Sequence, residues 1–164
     1  MKLFASRSAQ APLVAQLSFA FNNWVNDSVD LAAKTLGSTV AQSTDPSQAG
    51  LVGPASNTVV FDAVPMPPGA VITGGEIIVE TAYAGPTAAT LSLGTAANTT
   101  ALANGIDLKT TGRTALILTS PLVSNDGSNL RMTFAYTVAN ATAGRVRIRV
   151  MYTIDGRAGD VQIA

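Results

Sequence analysis

Three arginines, Arg145, Arg147 and Arg149, recur every second residue in Gly144-Arg145-Val146-Arg147-Ile148-Arg149-Val150. In an extended strand that spacing puts all three guanidiniums on one sheet face, neighbours about 7 Å apart. A guanidinium is a planar fork of donors that matches carboxylates, so the row must be neutralised or solvated. Glu76 and Glu80 share one face of another extended stretch and are the expected cross-strand partners. The competing reading is a binding face for carboxylates on another subunit, because Arg is enriched at interface cores. Charge distribution keeps both readings open. Residues 1–126 carry five basic and eight acidic groups, whereas residues 127–164 carry five basic and two acidic.

Other chemistry is poorly supplied. The chain has neither Cys nor His, which removes disulfides, thiolate nucleophiles, imidazole bases and nearly every zinc or iron site. Glu76 and Glu80 lie four strand residues apart, roughly 13 Å, too far for the carboxyl pair of a glycosidase at about 5–9.5 Å. Asn125-Asp126-Gly127-Ser128-Asn129 lacks the alternating acidic ligands and terminal Glu of a calcium loop, and turn chemistry accounts for it. Gly74-Gly75 has no Lys-Ser/Thr after it and opens a strand, so no phosphate loop forms there. Trp24, the one large ring at a strand end, is expected as a core lid. The reading is a protein that is not an enzyme and takes no cofactor and no metal.

Composition sets the frame for these residues. The 164 residues suit one domain, and an apolar fraction of 47% argues against disorder. Ten basic groups balance ten acidic ones, so no global field draws the chain to nucleic acid or an anionic membrane. No apolar run approaches the 18 residues of a membrane span, and the run at Leu3-Phe4-Ala5 is too short for a secretory signal.

Alternation with a period of two marks the elements that position the arginines. Residues 14–24 read as a strand with Leu17, Phe19 and Phe21 inward, and residues 26–53 as mostly irregular. Thr58 to Val64 reads as a strand stopped by Pro65, Pro67 and Pro68. Residues 70–83 read as one long strand bent at Gly74-Gly75. Leu91 and Leu93 belong to another, and an Ala/Asn/Thr-rich section from Thr95 to Gly105 has room for a short helix. Further strands are expected at 106–108 and 114–119. Leu130 to Val138 and Arg145 to Tyr152 alternate most clearly, and the break between them fits an antiparallel hairpin. The fold class is therefore all-β, an antiparallel β-sandwich expected as a jelly roll, with residues 1–13 as an irregular arm and 14–164 as one domain; the alternation does not specify strand order, so an immunoglobulin-like or other Greek-key arrangement is the alternative.

Phe61-Asp62-Ala63-Val64-Pro65-Met66-Pro67-Pro68-Gly69 through Glu76 resembles small virion proteins of tailed bacteriophages. Thr90 to Gly94, Asn104 to Lys109 with Gly112-Arg113, and Gly144 to Tyr152 with Asp155-Gly156-Arg157-Ala158 are similar in order and spacing. The chain looks like a capsid decoration, or cement, protein of the jelly-roll type found on a Bordetella phage. The resemblance implies a place on the outer surface of the virion capsid, the major capsid protein as partner, and a homo-oligomer, dimer or trimer. Synthesis would be in the host cytoplasm. The small, polar N-terminal stretch around Arg7 suits an arm that reaches a neighbouring subunit, so Arg7 joins Arg145, Arg147 and Arg149 as a candidate interface residue. The alternative function is a receptor- or glycan-binding module of a fibre or head spike.

Overall fold

Alternation along the chain becomes strand after strand in the computed structural model, which describes residues 12–29, 31, 33–37, 58–118, 127–137 and 140–154, with the backbone of 123–124. In chain order the strands are β1 (Leu13–Ala20), β2 (Trp24–Asn26), β3 (Ala33–Thr35), β4 (Thr58–Val64), β5 (Ala70–Ala84) and β6 (Ala89–Gly94). They continue as β7 (Ala103–Asp107), β8 (Gly112–Ala115), β9 (Val123–Ser124), β10 (Leu130–Tyr136) and β11 (Ala143–Ile154).

Two antiparallel sheets form the body. The first runs β1-β11-β5-β8, with β9 also on β5, and the second runs β4-β10-β6-β7. With β2, β3 and β9 set aside, the eight main strands in sequence order fall as 1-8-3-6 in one sheet and 2-7-4-5 in the other. Inward residues of both sheets meet in one apolar core. The first sheet contributes Phe19, Ile77, Val79, Val146, Ile148 and Val150, and the second contributes Val59, Phe61, Leu91, Leu93, Met132, Phe134 and Tyr136. Phe134 stacks at a tilt between Tyr83 and Tyr136, with ring centroids 5.1 and 5.3 Å away. The hydroxyls of both tyrosines are buried with no hydrogen-bond partner among the described residues. Burial pushes the Tyr136 hydroxyl up to about 12, and that of Tyr83 higher still with Tyr136 close by, so both stay neutral at ordinary pH.

The strand at 58–64 and the long strand from residue 70 are as expected, and a register shift opposite Met151/Tyr152 places a bulge beside Gly74. Gly75, with φ +149°, lies so close to the Arg149 carbonyl that any Cβ there would collide with it. Four expectations need correction. The strand read over 14–24 is two strands: Asn23 ends β1 by accepting the Ala20 N–H at 2.6 Å with its side chain, the local competition that makes Asn a turn former. Within the stretch 26–53 read as mostly irregular, Asn26 and Ala33–Thr35 belong to the paired strands β2 and β3, while 38–53 lie outside the described residues. The section after Thr95 holds no helix, because Thr95 and Asn98 bond to backbone N–H groups within it and fold it into turns. Finally, β10 and β11 do not pair with each other. Each joins a different sheet, so their connection arches from one layer to the other.

Candidate functional site

β11 is the strand that presents the arginines. Val146, Ile148 and Val150 are fully buried, so the alternating Arg145, Arg147 and Arg149 must stand on the outer face of the first sheet. Their neighbours on one side come from β5. Arg147 donates to Glu80 at 2.6 Å, Arg145 lies 3.6 Å from the same carboxylate, and Arg149 reaches Glu76 at 3.5 Å. On the other side β1 is uncharged, and Gln16 accepts from Arg149 Nε at 3.3 Å.

The cross-strand glutamates expected from spacing alone are thus in place. Sequence reading missed Arg113 of β8, which approaches Glu76 at 3.6 Å. Its signal was faint, since β8 has only four residues, all exposed. Among the described residues, four arginines share two glutamates on this face, two positive charges over. Only the Arg147–Glu80 contact has the short length of a strong charge-assisted bond, and Arg147 Nε is buried without a partner among the described residues. A depression of 750 Å³ opens beside the row, lined by Val14, Gln16, Gly75, Glu76, Arg113, Ala115, Arg149 and Met151. Val14 is 58% exposed and Met151 40%, so the face mixes charge with apolar surface. Such a surface can bind a carboxylate-bearing partner.

Arg7 and the Asn125-Asp126 turn lie outside the described residues. Trp24 is 44% exposed at the start of β2 and is no core lid, because the hairpin that carries it leans on the sandwich edge. Among the described residues no group of three His, Cys, Asp or Glu side chains could hold a metal, and no helix is long and apolar enough to cross a membrane.

A second polar cluster escaped sequence reading altogether. Asp27 and Lys34, 2% and 5% exposed, form an ion pair at 2.9 Å beneath the β2–β3 hairpin. The Asp27 carboxylate also accepts from the N–H groups of Val29 at 2.8 Å and Val60 at 3.2 Å. Burial pushes its pKa up, but Lys34 and the two backbone donors outweigh that and hold the carboxyl below its ordinary value. Ser28 N–H donates to the Val60 carbonyl at 2.6 Å, so the hairpin is tied to β4 by side chain and backbone together.

No protein-family model and no curated protein matches the chain. Among solved structures, a chain of the cyanophage Pam1 capsid asymmetric unit is similar, with 19% identity and a TM-score of 0.51 over 94% of both chains. At that identity the likeness is one of fold. It carries nothing particular to the cement protein of a Bordetella phage.

Proposed function

We propose that this chain is a virion structural protein of a tailed phage: a decoration, or cement, protein that binds the outer surface of the head and braces neighbouring major capsid subunits. The observation that carries the reading is the shared fold, over 94% of both chains, with a chain of the Pam1 capsid asymmetric unit. The strand orders 1-8-3-6 and 2-7-4-5 support a jelly roll, the two-sheet Greek-key arrangement used by capsid domains. The reading is non-enzymatic and needs no cofactor, since Glu76 and Glu80 are taken up by arginines. Stabilisation follows from linkage: a protein that binds the assembled shell and not its free subunits lowers the free energy of the shell, and many symmetric contacts multiply the effect. The surplus positive charge of the arginine face supports attachment to an acidic patch on the capsid, with residues 1–13, Arg7 among them, as a second contact.

The test is the position of the chain in a reconstruction of the intact particle. Density for the sandwich on the outside of the shell is expected; a place in the tail, or virions that lack the polypeptide, overturns the reading. Deleting residues 1–12 is expected to lower head occupancy while thermal melting of the isolated protein stays unchanged. Full occupancy after deletion removes the arm from the attachment.

A further inference from the structure

Each sheet of an open sandwich ends in strands whose outer N–H and C=O groups lack a ladder partner, and proteins blunt such edges with charge, proline, bulges, brevity or a cover. Three of the four edges here are blunted. The β4 edge is covered at Val60, whose N–H and C=O are both taken by the β2–β3 hairpin. β7 is five residues long, contains Gly105 and Asp107, and shifts register against β6. β8 has four residues and carries Arg113.

Among the described residues β1 has none of these devices, and the β2–β3 hairpin stands across an open depression from Leu17. β1 is eight residues long, Leu-Val-Ala-Gln-Leu-Ser-Phe-Ala, without charge or proline. Its register against β11 is unbroken from Leu13↔Tyr152 to Ala20↔Arg145. Among the described residues β11 is the only strand paired with it, so alternate backbone groups of β1 face away from the sheet. A second observation points the same way. Ala15 and Leu17 are turned toward the core yet remain only half-buried, as side chains do when the layer stops one strand short.

We infer that the free edge of β1 pairs antiparallel with β1 of a second copy, continuing the first sheet across a two-fold axis. Self-pairing is favoured because the strand is neutral: no like charges meet across the axis, whereas a charged edge would repel its own copy. Any antiparallel register that preserves the faces sets Val14, Gln16 and Ser18 of both copies on the outer face and Ala15 and Leu17 on the inner one. The half-buried pair then gains apolar neighbours. The arginine rows of the two copies stand three strand spacings apart, about 14 Å, beyond a Debye length of about 8 Å, so their repulsion is screened. The inference stands on the strand edge alone, independently of any place on a phage head.

Sedimentation velocity of the full chain over a concentration series, with amide hydrogen exchange at the two ends of that series, tests it. A dimer is expected, with β1 amides protected at high concentration and exchanging on dilution. Val14 is exposed on the outer face and lies opposite the uncharged Met151 of β11, so Val14→Lys charges the edge without facing an arginine within the sheet, and circular dichroism checks that the fold is kept. Its dimer dissociation constant is expected to rise on the order of tenfold. A monomer at every concentration, a dimer whose β1 amides exchange freely, or a dimer indifferent to Val14→Lys overturns the inference. So do β1 amides protected in a monomer, which would mean that the chain covers its own edge.

Discussion

Opposite charges meet in two regions of this molecule, and the difference lies in their surroundings. Asp27 and Lys34 are sealed beneath the β2–β3 hairpin, where the carboxylate has three donors and almost no water. On the outer face of the first sheet, Glu76 and Glu80 serve four arginines at distances that mostly exceed a good hydrogen bond, with Arg113 and Arg145 67% and 60% exposed. Removing half of the buried pair leaves the other half away from water without its counter-charge, which is costly; removing half of an exposed pair hands the survivor to solvent. The first arrangement therefore fixes the position of a hairpin. The second leaves a surface adjustable and available to partners.

The largest effect that separates the two is expected from Asp27→Ala, which leaves the Lys34 ammonium buried and releases the Val60 N–H. Chemical denaturation should show a loss of about 3–5 kcal/mol, and a loss under 1 kcal/mol would put the buried pair on a par with the surface row. Next comes pH. The Asp27 carboxyl titrates below its unfolded value, so its contribution is present in full above the unfolded pKa of about 3.9 and disappears as pH falls through the lower folded value. Subtracting the acid-unfolding curve of Asp27→Asn from that of the parent should show this loss below about pH 4; parallel curves would break the assignment. The smallest effect belongs to the outer face. Glu80→Gln should cost at most about 1 kcal/mol and less in high salt, measured by the same denaturation series.

Legibility in the sequence followed the same divide between periodic and local structure. Strict alternation in Leu130 to Tyr136 and in Gly144 to Tyr152 announced both strands, and the matching spacing of Glu76 and Glu80 announced the partners of the arginine row. Pairing between β10 and β11 was misread because a short connection specifies a turn in the chain and not the layer on which the next strand lands. Both strands alternate, both have one buried face, and a sandwich satisfies them equally well by placing them opposite each other. The β2–β3 hairpin was invisible for another reason. Three-residue strands are too short to show a period, and Asp27 and Lys34, seven residues apart, have no pattern that links them. One local sign was available: Asn26-Asp27-Ser28 is turn-forming chemistry, and Asp27 does accept the N–H of Val29 two residues on.

The partnership of β5 with β11 has a mechanical meaning. All 12 residues of β11 run alongside β5, whose extra residues are taken up in bulges, so the ribbon extends for about 40 Å through the middle of the first sheet. Tension applied along this ribbon would load its rungs in parallel, and all would have to give together. A force that peels one strand sideways meets the rungs one at a time. The molecule is therefore stiff in one direction and easily opened in another, and the angle at which a load arrives decides which of the two it shows.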